Sequence, residues 1–116
     1  MDFKTDGTIT VDKIKKKKIK CYKFHCKPLD RYLMVHTDID NNNYTVLSDF
    51  STGYRLFKLQ ITTDKITPDE IKSKLEKYLN HFTIEGIKEE IDRLKNIELE
   101  LAKPKERSST KWYMKI

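Results

Sequence analysis

Ile19-Lys20-Cys21-Tyr22-Lys23-Phe24-His25-Cys26-Lys27-Pro28-Leu29-Asp30-Arg31-Tyr32-Leu33-Met34-Val35-His36-Thr37 decides the fold. From Ile19 the side chains alternate. Tyr22, Phe24 and Cys26 share one face, and Ile19, Cys21, Lys23 and His25 share the other, which is the period of a strand. Lys27 to Asp30 reads as a turn with Pro28 favouring its second position, and Arg31 to Thr37 as the returning strand. A four-residue turn sets Phe24 opposite Leu33, Tyr22 opposite Val35 and Cys21 opposite His36.

Moving toward the C-terminus, 38–43 is a polar loop and Tyr44 to Phe50 a third strand. Ser51-Thr52-Gly53 fits a three-residue hairpin loop with glycine in the left-handed position, and Tyr54 to Ile61 is the fourth strand. This register sets Leu47 opposite Phe57, Thr45 opposite Leu59 and Asp49 opposite Arg55. A six-residue link then puts Leu33 and Val35 on the face opposite to Leu47, Phe57, Leu59 and Ile61. The conflict calls for a bulge or a non-sequential strand order. Thr67-Pro68-Asp69-Glu70 is a capping box with proline at the first helical position. The helix after it carries Ile71, Leu75, Tyr78, Leu79 and Phe82 on one face. Thr83 caps a second helix with the stripe Ile84, Ile87, Ile91, Leu94, Ile97 or Glu98, and Leu101, and Pro104 ends it.

Toward the N-terminus, residues 1–12 read as a short arm with one short strand, Thr8 to Val11, after the Asp6-Gly7 turn signal. The expected fold is α+β: an antiparallel sheet of about four strands followed by two helices packed on it. Residues 1–104 form one domain with a basic N-terminal arm. Residues 105–116 form a polar link and an aromatic tail holding Trp112 and Tyr113.

The chain has 116 residues and a formal net charge of +6. Ten basic residues against four acids in 1–36 account for the whole excess, and 37–116 balances to zero. Lys15, Lys16, Lys17, Lys18, Lys20, Lys23 and Lys27 lie in one acid-free stretch, 13–27. Such a localised excess is a footprint for nucleic acid, an anionic surface or an acidic protein; on an edge strand it also blocks edge-to-edge pairing. No run approaches the ~18 apolar residues of a membrane helix, and the N-terminus lacks a signal peptide's apolar core. The expected location is the cytoplasm of a bacterium or an infected host cell, with no membrane partner and both cysteines reduced.

Catalytic and metal chemistry find no constellation. On one strand Cys21 and His25 are four residues apart, roughly 13 Å at ~3.3 Å per residue, too far for one metal ion. The same reach argument excludes a Cys21–Cys26 disulfide. Cys21 with His36 lacks an orienting group and oxyanion donors. Asp38 to Asp49 resembles an EF-hand loop but has Asn43 in place of the sixth-position glycine and Asp49 in place of the final glutamate. Gly7, Gly53 and Gly86 are isolated, so no phosphate loop exists. The expectation is a binding protein, not an enzyme, with no cofactor and no metal.

Ser48-Asp49-Phe50-Ser51-Thr52-Gly53-Tyr54-Arg55-Leu56 looks like the strand-Thr-Gly-strand hairpins of small uncharacterised phage proteins. The overall style is similar to small phage or mobile-element inhibitors of a host machine, anti-CRISPR proteins among them. Many of those are acidic nucleic-acid mimics; the basic arm here departs from them and suits contact with guide RNA, DNA or an acidic groove. The resemblance implies an inhibitor of a host nucleic-acid machine such as a CRISPR nuclease. Its expected partner is nucleic acid or a nucleoprotein complex, engaged through the seven lysines. The alternative is a protein–protein inhibitor or adaptor that binds an acidic host protein through helix faces or through Trp112 and Tyr113, with the lysines steering the encounter.

Overall fold

A computed structural model of the chain describes residues 1–11 and 15–101. The order is β1 (Thr5–Val11), β2 (Lys15–Cys26), β3 (Arg31–Thr37), β4 (Thr45–Asp49), β5 (Arg55–Leu59), α1 (Pro68–His81) and α2 (Ile84–Leu101). The five strands form one antiparallel sheet in sequential order. The fold is α+β as expected, and the fifth strand is the short arm strand, which joins the sheet as β1. The strand starting at Ile19 begins instead at Lys15, and the arm strand spans Thr5–Val11 rather than Thr8–Val11. The lysine run hides this pairing because it does not alternate apolar with polar.

The first hairpin has the expected register, with Tyr22 opposite Val35 and Phe24 opposite Leu33. Asp30 closes its turn at φ 49°, and its amide donates to the Lys27 carbonyl at 3.1 Å. The conflict between the two hairpins does not arise. Val35 stands directly opposite Leu47, so both are on one face. The link is Asp38 to Tyr44, closed by the Asp38 amide donating to the Tyr44 carbonyl. With Tyr44 in the link rather than the strand, the spacing changes by one residue, which flips the phase.

A bulge does occur, but between β4 and β5. Leu47 faces Phe57 while Ser48 faces Arg55, so Leu56 is the extra residue. The consequence is double. Leu56 and Phe57 both pack toward the main core, and Arg55 is turned to the opposite face beside Ser48. The expected Asp49–Arg55 pairing is therefore wrong. Asp49, fully buried, takes Arg31 instead: Arg31 Nε reaches Oδ1 at 2.5 Å and Nη2 reaches Oδ2 at 3.0 Å.

One sheet face carries the helices. Leu33, Val35 and Leu47 have no exposed surface and meet Ile71, Leu75, Ile87 and Ile91 from α1 and α2 in the main core. Truncating such a leucine to alanine costs about 2–5 kcal/mol. Tyr22 and Phe24 are half-buried against this core. Thr67 caps α1, with the Glu70 amide donating to Thr67 Oγ1 and the Thr67 hydroxyl donating to Glu70 Oε1. Thr83 Oγ1 accepts from the Gly86 amide at the start of α2. Phe82 departs from its expected stripe: it is the C-cap of α1 and 51% exposed, its ring against Tyr78 and His81.

On the other face the sheet curls over itself. The first half of β2 pairs with β1 and its second half with β3. The β1–β2 ribbon closes toward the β4–β5 turn, where the Thr10 amide donates to the Gly53 carbonyl at 3.0 Å. Gly53 has φ 76°, and a Cβ there would lie 2.6–2.8 Å from the β1 backbone. Ile9, Cys21 and Met34 form a second small core under the ribbon, with Val11, Ile19 and Phe50 beside them. Gly7 permits this closeness, since a Cβ would meet Cys21 Sγ and Met34 Sδ at 2.9 Å. No helix among the described residues is long and apolar enough to cross a membrane. Pro104, Trp112 and Tyr113 lie outside the described residues.

Candidate nucleic-acid interface

All seven lysines are exposed, but the strand divides them. Alternation sends Lys15, Lys17 and Lys23 to the concave face and Lys16, Lys18 and Lys20 to the convex one, while Lys27 stands in the turn after β2. Lys20 Nζ lies 2.5 Å from Asp6 Oδ1, and that lysine holds the Asp6 carboxyl below its usual range. Lys16 Nζ donates to Thr10 Oγ1 at 2.6 Å and to the Thr52 carbonyl at 3.0 Å. Lys23 Nζ sits 4.5 Å from the Tyr32 ring centroid and 4.1 Å from that of Phe50, a cation–π arrangement. Tyr32 is 51% exposed, and His25 meets its ring edge-on. Lys15, Lys17, Lys18 and Lys27 have no ion-pair partner among the described residues. The ribbon thus presents cations on both faces rather than one flat patch.

Beneath the ribbon, the concave face encloses an open cleft of about 550 Å³. Its ribbon wall is Ile9, Thr10, Val11, Lys15 and Lys17; its sheet wall is His36, Val46, Ser48 and Arg55; Asp38, Ile39 and Asp40 close one end. His36 and Ser48 are 3% and 1% exposed. His36 Nε2 is 2.8 Å from Ser48 Oγ, and Nδ1 is 2.9 Å from the Thr37 carbonyl. With Nδ1–H donating to that carbonyl, Nε2 accepts from the serine hydroxyl. Burial lowers the His36 pKa against smaller raising effects of the Thr37 carbonyl and Asp38, so the ring is neutral at pH 7.

The Cys21–His36 pair weighed from the sequence is not joined by a hydrogen bond: His36 is bonded to Ser48, and burial pushes the Cys21 thiol up, away from its reactive thiolate form. Asp38 makes a side-chain turn, its Oδ1 accepting from the Asp40 amide, and Asn41 does the same for Asn43. This hairpin loop is unlike a calcium loop between helices. No group of three or more potential metal ligands occurs among the described residues. Arg55 and the His36–Ser48 pair escape sequence reading. One needs the bulge and the other the exact length of the 38–44 link, and neither leaves a local signature.

No protein-family model, curated protein or solved structure matches this chain. The class is set by the fold itself: a curled five-stranded antiparallel meander backed by two helices, with a lysine-bearing ribbon over a cleft.

Proposed function

We propose that this chain is a non-enzymatic nucleic-acid-binding protein and that the β1–β2 ribbon is its contact surface. The observation that carries the reading is the set Lys15, Lys17, Lys18 and Lys27, exposed on and beside one ribbon with no acid pairing them among the described residues. Exposed lysines of this kind exchange condensed counterions for phosphates. A two-stranded ribbon also has the width to enter a major groove, and Tyr32, bracketed by Lys23 and His25, is an exposed ring on which a base can stack. Holding a strand in this way would occlude it from a nucleoprotein machine, which gives a route to inhibition.

The test is fluorescence anisotropy with single-stranded DNA, duplex DNA and RNA over a salt series, on the natural chain and on the variant with Lys15, Lys16, Lys17 and Lys18 changed to Ala. Binding that weakens steeply with salt and is lost in the variant supports the ribbon. Absence of binding to all three at low salt removes the reading in favour of an acidic protein partner.

A further inference from the structure

The geometry points to a second, more selective site: the cleft under the ribbon binds a 5′-phosphorylated nucleoside, phosphate toward Arg55 and sugar hydroxyls toward Asp40. This deepens the nucleic-acid reading, since Lys15 and Lys17 belong to both surfaces. Three observations carry it.

The cleft is polarised. Arg55 stands opposite Ser48, and Asp38 lies at the Tyr44 end of the same strand. Four strand positions separate the two ends, about 13 Å at ~3.3 Å per residue. The ribbon joins the cationic end, because the Thr10 amide reaches Gly53 there. Lys15 and Lys17, two of the cleft's wall residues, pair with Val11 and Ile9 on either side of Thr10. A phosphate belongs among these three cations, and hydroxyl donors belong with the exposed Asp40 carboxylate, which the Asp38 side-chain turn positions.

Next, the opposite charges lining the cleft do not neutralise one another. No ion pair joins Lys15, Lys17 or Arg55 to Asp38 or Asp40 among the described residues. Asp38 is buried and its Oδ1 already accepts from the Asp40 amide, so the exposed Asp40 carboxylate and the three cations are the groups left to a ligand that is anionic at one end and a hydrogen-bond donor at the other. Ile9 and Val46, with Ile39 at the carboxylate end, supply apolar wall for a sugar and base. A volume of about 550 Å³ is in the range of small-molecule sites.

Finally, the bulge that skips Leu56 is what aims Arg55 into the cleft. Bulges commonly re-aim a side chain at a site. The floor beneath is fixed, because both ring nitrogens of His36 are bonded.

The ligand chemistry occurs free, as a nucleoside monophosphate, or as the 5′ end of a strand. The experiment therefore has three nucleotide probes, AMP, a single-stranded RNA with a 5′-phosphate, and the same RNA with a 5′-hydroxyl, with inorganic phosphate as a control, each followed by anisotropy or calorimetry. The phosphorylated strand is expected to bind about tenfold tighter than the hydroxyl strand, because its terminal phosphate accepts a charge-assisted hydrogen bond that the hydroxyl cannot. Arg55→Ala should abolish the difference between the two strands; Lys18→Ala with Lys27→Ala should weaken both strands alike and keep the difference. Asp40→Ala should weaken AMP but not inorganic phosphate. AMP binding without binding of either strand keeps the cleft site, makes the free nucleotide its ligand and removes the ribbon reading. Equal affinity for the two strands with no AMP binding overturns the cleft site and leaves the ribbon. Failure of all three probes overturns both.

Discussion

Asp49 has no exposed surface, and its carboxylate is filled by Arg31 on one side and by the amide and hydroxyl of Thr52 on the other. The residue therefore locks β3 to the β4–β5 turn. Asp49→Ala strands a half-buried guanidinium and two turn donors, and should cost about 3–5 kcal/mol in urea unfolding; a loss under about 1 kcal/mol would place the turn's stability elsewhere. His36 gives a second prediction. Its folded pKa is lowered from 6.5, mainly by burial, so the unfolded chain takes up a proton first. Stability is fully present above pH 6.5 and declines as pH falls below it, until the folded ring also protonates, with a slope of at most about 1.4 kcal/mol per pH unit from this group. His36→Gln should remove that slope, read from urea midpoints across the window; an unchanged slope would assign it to other groups. The register read from the sequence set Arg55 opposite Asp49, because one skipped residue on β5 lies beyond any pattern of alternation.

Among the elements, local chemistry was legible and curvature was not. The Thr67–Glu70 box, the Thr83 cap and the first hairpin's register all follow from residues within a few positions of one another. The 12-residue β2 is different: strands average roughly 5–6 residues, and its first half is stabilised by β1 and by the distant Gly53, not by its own apolar period. Gly53 is where the curl is fixed. It combines a left-handed φ with backbone of β1 closer than a Cβ allows. Gly53→Ala should cost about 2 kcal/mol or more, from the left-handed strain plus displacement of the ribbon. Amide exchange at Thr10, whose N–H ends on Gly53, should rise well beyond the global loss of stability. A variant that unfolds earlier yet keeps Thr10 protected relative to the rest of the sheet would show that the ribbon is anchored by the small Ile9–Cys21–Met34 core instead.

Across the whole molecule, the charge asymmetry read from the sequence survives folding, but folding decides how it is presented. The excess of +6 lies in residues 1–36, most of it on a ribbon whose strand alternation sends cations to both faces, while α1 and α2 carry mixed charge. That arrangement separates two accounts of binding. If net charge alone attracted a nucleic acid, any four lysines would be equivalent. If the ribbon is the footprint, only its own lysines release counterions, because charges farther away than about 8–10 Å are screened at physiological salt. Changing Lys15, Lys16, Lys17 and Lys18 to Ala and, separately, exposed Lys72, Lys74, Lys77 and Lys95 of the helices lowers the net charge equally. The ribbon variant should lose roughly 0.7 from the log–log salt slope on single strands for each lysine that touches a phosphate, about 3 if all four do. The helix variant should keep the natural slope and change affinity only modestly. Equal falls in both variants would mean that the chain is a diffuse polycation toward nucleic acid, and that the ribbon's shape contributes nothing to recognition.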